Sequence, residues 1–397
     1  MQKKVAITGM GIISSIGCSV EENFHSLIAK KTGISQLENF ASRHSDEIKV
    51  GEIKWTNEEL MQKLNLPADN TFTRTSLLGV FAARQAVENA GITNINEVRT
   101  GLISSTSVGG MDFTEKHFKR YEAHPEYIPF IQSHNAGDSS NKIAEYIGLK
   151  GFVTTISTAC SSAANAIMMG ATMIENGYLD RVIVGGTDAL CKFTINGFKT
   201  LMILSDTDNT PFDQNRKGLN LGEAAAYLVL ESDEAVKKHN KKVLAYVAGY
   251  GNANDAFHQT ASSENGEGAY LAMRKAFEKA GINPKQIDYI NAHGTATPNN
   301  DLSEGRALLR IFDNVPKFSS TKAFTGHTLA AAAAIEAVYS VLALQSNTIF
   351  PNLNFKTPME EFPLMPETEV VETEINYVLS NSFGFGGNCS TLIFSKT

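Results

Sequence analysis

The stretch Ser157-Thr158-Ala159-Cys160-Ser161-Ser162-Ala163-Ala164-Asn165-Ala166-Ile167, "STACSSAANAI", sets one cysteine between a short apolar run and a series of small residues that suit a helix. The residues allow two readings. One is a buried cysteine at a strand–helix junction, because free cysteine packs as a small hydrophobe. The other is a thiolate nucleophile at a helix start, where unpaired backbone N–H groups and the helix dipole favour negative charge.

Outward from this stretch, apolar runs alternate with helical patterns. Strand candidates are Lys4–Thr8, Thr100–Ser104, Phe152–Ile156, Arg181–Val184, Ala225–Leu230, Val243–Gly249, Ile287–Asn291 and Leu392–Phe394. Helix candidates are Leu77–Ala90, Asn141–Ile147, Ser161–Asn176, Gly268–Ala280, Asp301–Leu309 and Thr328–Leu344. The alternation predicts an α/β fold with helix-covered sheets. "KKVAITGMG" at 3–11 and "QIDYINAHG" at 286–294 are both strand-then-glycine units. They suggest two similar halves meeting near residue 250, where Gly249, Gly251, Asn252, Asn254 and Asp255 read as a crossover loop. "TGMGIISSIG" reads as a tight turn after the first strand. It lacks the third glycine of a dinucleotide fingerprint, since Ile13 and Ser14 stand in its place.

The chain has 397 residues, 42% hydrophobic and 19% charged, enough for two domains or one large fused core. A net charge of −7 argues against wholesale nucleic-acid binding. The four cysteines, Cys18, Cys160, Cys191 and Cys389, are scattered without metal-type spacing, so no metal is expected and a reduced, cytoplasmic protein is. The N-terminal apolar stretch is broken by Thr8, Gly9 and Gly11 and reads as a strand, not a signal peptide. No run is read as long enough to span a membrane.

Two histidines stand in punctuated settings. His293 lies in "NAHGTATPNND" and His327 in "STKAFTGHTLAAAAAIEAV", at the start of an Ala-rich helix. Either can be a hydrogen-bonded structural residue or a site group held at the end of an element. Lys322 is a solvated loop lysine or a cation that sets local charge. Glu336, among alanines, needs a partner if buried, and Lys322 is a candidate. "NSFGFGGNCS" (381–390) is a turn entering the last strand, or a loop whose backbone N–H enters a site with Phe385 as a door. A cysteine, two histidines, a lysine and such a loop point to acyl chemistry on thioesters. Thiolate attack exchanges one thioester for another, and two neutral imidazoles can donate N–H to one enolate oxygen.

The segments "STACSSAANAI", "TPFDQNRKGLNLGEAAAYLVLE", "NDAFHQTASSENGEGA", "NAHGTATPNND", "STKAFTGHTLAAAAAIEA" and "NSFGFGG" together resemble the β-ketoacyl-acyl-carrier-protein synthases of the elongating Cys-His-His type, over nearly the whole chain. The resemblance implies the thiolase fold, two related halves in an α-β-α-β-α stack, with 1–248 carrying the nucleophile and 249–397 both histidines. It implies that Cys160 is the acylated nucleophile and that His293 and His327 support malonyl decarboxylation and hold the enolate. Lys322 would tune charge around His327 and pair with Glu336. The N–H groups of Cys160 and Phe385 would form the oxyanion hole, and Thr295 and Thr297 would touch the phosphopantetheine arm. Val108 would line the acyl pocket. Asp255 and the loop Gly384, Phe385, Gly386 and Gly387 would gate access.

No tightly bound cofactor is implied. Substrates would arrive on the phosphopantetheine arm of an acyl carrier protein, and the chain would form a homodimer or a heterodimer with a ketosynthase-like subunit. Departures from the family pattern include Ala330 and Ala333 for glycines, Ala224 and Ala226 where "GEGAG" is common, and Asn388-Cys389 after the last glycine. Ser205–Asp213 carries Asp206 and Asp208 and no arginine, so carrier docking is expected to use other cations such as Lys119, Arg120 or Arg74. Fatty-acid elongation and specialised aryl-polyene, flexirubin or polyketide assembly all fit. The competing readings are a non-catalytic chain-length-factor subunit, which normally lacks the nucleophile, and a thiolase acting on coenzyme A esters, with Cys389 as its second cysteine.

Overall fold

The computed structural model describes residues 4–396. The strands that build the main sheet are β1 (Val5–Ser14), β2 (Thr100–Ser105), β3 (Phe152–Ile156), β4 (Arg181–Asp188), β5 (Ala224–Ser232), β6 (Ala245–Asn254), β7 (Tyr289–Asn291), β8 (Lys317–Ser319), β9 (Tyr377–Phe383) and β10 (Asn388–Ser395). The helices that layer them are α1 (Arg74–Asn89), α2 (Ala136–Tyr146), α3 (Ser162–Glu175), α4 (Glu267–Ala280), α5 (Pro298–Ile311) and α6 (Ala332–Ser346).

The strand order is β8-β7-β9-β10-β6-β1-β5-β4-β2-β3. It reads the same from both ends once each half is matched to the other. β2 runs parallel to β3 and β4, and β7 runs parallel to β8 and β9. β1, β5 and β4 are successively antiparallel, as are β6, β10 and β9. The halves join where Val5, Ala6 and Ile7 of β1 pair with Val247, Tyr246 and Ala245 of β6. Helices α3 and α6 pack on each other and on strands of both halves, while α1 and α2 cover one outer face and α4 and α5 the other. This is the expected five-layer stack.

The internal echo is real, but it pairs different segments from those the sequence suggested. Gly9 and Gly249 are the matching positions. A Cβ on Gly9 would lie 2.4 Å from the Ala86 carbonyl oxygen of α1, and one on Gly249 would lie 2.5 Å from that of Ala276 in α4. A register shift precedes each glycine, at Ile7/Gly9 in β1 and opposite Ile393/Phe394 in β6. These glycines let a helix backbone lie on the strand. They do not turn the chain, so the expected turn after Thr8 is absent and β1 continues to Ser14. For the same reason the residues read as a crossover loop, Gly249 to Asn254, are strand β6, and only Asp255 lies beyond it.

Helix α6 is buried from Ala332 to Leu344, as its nearly unbroken apolar sequence requires for a central helix. The stretch Leu329–Ser346 does reach the length and apolarity of a membrane span, with mean hydropathy 1.5, contrary to the sequence reading. It is 89% buried inside the protein, which is the position of a core helix.

Candidate active site

Cys160 sits in the turn between β3 and α3. Ala159 before it has φ of +51°, a left-handed conformation that costs an alanine on the order of 1 kcal/mol. Surrounding bonds hold it there. Ser162 Oγ accepts from Thr158 N (2.8 Å) and donates to the Ala159 carbonyl (2.5 Å), and Ser161 Oγ donates to the Thr158 carbonyl (2.8 Å). The small residues that follow permit close packing: a Cβ on Gly186 of β4 would already stand 3.2 Å from Ala163 Cβ. The turn aims the thiol into a cavity while the helix starts behind it.

The loop Gly384–Gly387 joins β9 to β10 and lies against this turn. A Cβ on Gly384 would fall 2.8 Å from the Thr158 carbonyl oxygen, so glycine allows the approach. Asn388 Oδ1 accepts from Ser161 Oγ (2.7 Å), Asn165 Nδ2 (2.9 Å) and Asn252 Nδ2 (2.9 Å). Asn388, one of the departures from the family pattern, thus anchors this loop to the Cys160 turn. The backbone N–H groups of Phe385 and of Cys160 itself lie near the Cys160 sulfur and favour its thiolate form.

His293 follows β7, and its ring centroid is 5.5 Å from that of His327 at 88°. Its backbone N–H and that of Gly294 donate to the two oxygens of Glu304 (2.9 and 2.8 Å). His327 precedes a single 3-10 turn (Leu329–Ala331), so it stands just before α6 and not on it. Its Nδ1 accepts from Leu329 N at 3.0 Å. That bond leaves the proton on Nε2, the nitrogen free to donate. Lys322 and Glu336 form the buried ion pair expected, both 1% exposed.

Burial dominates the electrostatics. It holds His327 down to about 3 and His293 well below the imidazole range, with the Lys322 charge adding to both shifts, so both rings are neutral near pH 7. Burial pushes the Cys160 thiol up to about 11, while the Phe385 N–H and Lys322 pull the other way. The site thus holds a buried thiol beneath two backbone donors and beside two uncharged imidazoles. That arrangement can stabilise an oxyanion on one carbonyl and an enolate on another.

The neutral rings have a consequence for stability. An unfolded imidazole titrates near 6.5, and the folded His327 near 3, so the unfolded chain binds more protons between these values. The contribution is complete above 6.5 and is lost as pH falls toward the folded value. The unfolding free energy is expected to fall more steeply below pH 6.5 in the native chain than in His327→Asn, the gap growing by about 1.4 kcal/mol per pH unit. Urea titrations between about pH 7 and pH 5 check this, and parallel slopes would refute it.

Cys160, His293, His327, Thr295, Thr297, Phe385, Asp255, Gly384, Gly386 and Gly387 line one cavity of about 300 Å³. The Thr295 and Thr297 hydroxyls lie 2.9 Å apart. Val108 lines a second, apolar cavity of about 400 Å³ with Phe193, Phe198, Leu201 and Leu329, and Cys160 and Phe385 border both. Phe385 stacks on Phe198 at 5.9 Å between them. The Asp255 carboxylate at the cavity wall is held by its own loop. Its carboxylate accepts from Ser263 N, Ser263 Oγ and Gly268 N, and its backbone N–H donates to the Gly387 carbonyl.

Arg74 does not face solvent as a docking residue. It is 7% exposed and its guanidinium pairs with Glu223. Asp208 is paired with Lys49 at 2.9 Å.

The sequence reading missed several positioning groups. Asp188 accepts from Thr106 Oγ1, Ser107, Val108 N and Ala330 N, tying the pocket wall to the turn after His327. Glu304 and Asp301 brace the His293–Thr297 segment from inside α5. Two acids three apart on the apolar face of that helix were the available signal. Among the described residues no cluster of His, Cys, Asp or Glu is arranged to hold a metal.

The comparisons agree across the chain. Residues 2–235 match the family model "Beta-ketoacyl synthase, N-terminal domain" and residues 244–356 match "Beta-ketoacyl synthase, C-terminal domain". The chain is 36% identical to the "3-oxoacyl-[acyl-carrier-protein] synthase 2" of Coxiella burnetii (strain RSA 493 / Nine Mile phase I), covering 100% of this chain and 99% of that one. Among solved structures, it is similar to "The ishigamide ketosynthase/chain length factor" (TM-score 0.94, 31% identity, all of both chains). It is also similar to a "type II PKS acyl-carrier protein in complex with its ketosynthase bound to the hexaketide" (TM-score 0.90, 26% identity, all of both chains). With the fold, the buried thiol and the paired imidazoles already in place, these matches identify the chain as a member of the β-ketoacyl synthase family, a condensing acyltransferase of the thiolase fold.

Proposed function

We propose that the chain is a 3-oxoacyl-[acyl-carrier-protein] synthase in which Cys160 carries the growing acyl group. The observation that supports this most is the convergence of the Cys160 sulfur, His293 and His327 on one cavity, with the Phe385 backbone N–H beside the sulfur. In the first half-reaction the sulfur attacks the acyl thioester. The new C–S bond forms, the carrier's C–S bond breaks, and the carrier thiol leaves with the proton from Cys160. The Cys160 and Phe385 N–H groups hold the transient oxyanion. In the second, malonyl thioester loses carbon dioxide and its electron pair moves into an enolate, whose oxygen takes hydrogen bonds from the two imidazoles. The enolate carbon then attacks the acyl-Cys160 carbonyl, the carbon–carbon bond forms and the sulfur departs.

Thr295 and Thr297 line the route of the phosphopantetheine arm, and Val108 lines the acyl pocket. Phe385 and its glycines, with the loop after Asp255, gate entry. The two halves divide near 248/249, the first supplying the nucleophile and the second both histidines. A carrier protein delivers both substrates.

The apolar pocket beside Cys160 is bordered by the exposed Phe193 and Leu201. That open border, with the likeness to a ketosynthase/chain length factor, favours a second ketosynthase-like subunit as the partner that closes it.

Malonyl-carrier protein labelled at its free carboxyl tests the reading. Label should leave as carbon dioxide in step with 3-oxoacyl product when an acyl-carrier primer is present. A thiolase would condense acyl thioesters without carbon dioxide release, and a non-catalytic subunit would do neither.

A further inference from the structure

We infer that Lys217 receives the phosphate of the substrate's pantetheine arm, a reading that rests on the function proposed above. Burial grades along the cavity wall. Cys160, His293 and Thr295 are buried at its floor, Thr297 is intermediate, and Lys217 and Asn299 are exposed at its mouth. An arm reaching Cys160 through this cavity leaves its phosphate end among the exposed residues.

The mouth offers that anion one free charge. Among the described residues Lys217 Nζ has no hydrogen-bond or ion-pair partner, although it lines the cavity. Other nearby charged groups are committed. Lys199, beside the lining residue Phe198, pairs with Glu47 at 3.0 Å, and Lys49 pairs with Asp208 at 2.9 Å. The Asp255 carboxylate also lines this cavity, but its charge is taken up by three donors, Ser263 N, Ser263 Oγ and Gly268 N.

The backbone that carries Lys217 is fixed while its side chain is not. The neighbouring Arg216 guanidinium donates to the carbonyls of Asp213 (3.0 Å), Thr297 (3.4 Å) and Pro298 (2.7 Å). It thereby clamps the 213–217 turn to the segment that bears Thr295 and Thr297. A lysine held in this way is a point charge in register with the cavity, which suits a phosphodiester.

The test compares three malonyl donors in acyl-primed condensation: malonyl-pantetheine, malonyl-phosphopantetheine and malonyl-carrier protein. In the native chain the phosphorylated small donor should have the higher kcat/KM, and added salt should shrink the advantage. In Lys217→Gln the ratio of kcat/KM between malonyl-phosphopantetheine and malonyl-pantetheine should fall about five-fold, and Lys217→Arg should restore most of it. An unchanged ratio overturns the inference. If the ratio is unchanged and only the carrier-protein donor suffers, Lys217 contacts the carrier's surface and not the phosphate. Failure of the function reading is separate, since then no donor releases carbon dioxide even with the native chain.

Discussion

In Cys160→Ala, incubation with an acyl-carrier primer leaves the intact protein mass unchanged, and condensation falls by on the order of 10⁴-fold or more. The native chain gains the mass of one acyl group, and peptide mapping places it on Cys160. The size of the effect follows from the division of labour. Two neutral imidazoles and two backbone donors can polarise carbonyls, but none of them can hold an acyl group for the enolate to attack. The substitution removes one sulfur from a well-packed turn, and the Ser161, Ser162 and Asn388 bonds that hold the turn are untouched. The variant should therefore unfold at nearly the native urea concentration, which separates loss of chemistry from loss of fold. The other thiols do not substitute: burial pushes Cys18 and Cys191 up to about 12, and Cys389 is also raised by burial. An adduct that persists in Cys160→Ala, together with residual condensation, would overturn the assignment.

What could be read from the sequence divides along physical lines. Cys160, His293, His327 and the Gly384–Gly387 loop were legible because local chemistry marks them: small residues, glycines and element ends adjoin each one. The alternation of strands and helices was legible for the same reason. The halves were mispaired because the decisive glycines, Gly9 and Gly249, serve a contact with α1 or α4 distant in sequence. A glycine in an apolar run looks like a turn until the helix that lies on it is known. Strand β9 went unread for a related reason. Its Ser380, Asn381 and Ser382 are polar but buried, and their partners come from elsewhere: Asn381 bonds Glu304 and Thr391, and Ser382 lies 3.5 Å from Glu336. Asp188 and Glu304 were missed because a buried acid is told from a solvated one only by donors that the fold assembles.

Lys322→Ala should destabilise the protein by about 3–5 kcal/mol, read as the change in urea-unfolding free energy near pH 7. The pair is sealed from water, so removing the lysine strands the Glu336 carboxylate with only Ser382 Oγ at 3.5 Å. Burial already raises the Glu336 carboxyl above its ordinary range, and without the lysine it will take up a proton or draw in water. If this cost is charge desolvation and not lost packing, Lys322→Met combined with Glu336→Leu should recover most of the stability, because a well-packed apolar pair replaces a buried ion pair at little expense. The same double variant isolates the lysine's electrostatic effect on the imidazoles. The Lys322 charge lowers both His293 and His327, so its removal should move their titrations, followed by NMR, to higher pH. Recovered stability with unmoved histidine titrations would leave Lys322 as a structural cation alone. Histidines that titrate higher in a folded double variant would mean that this lysine reinforces burial in keeping the two rings uncharged, which is the state that the proposed donation of N–H to an enolate requires.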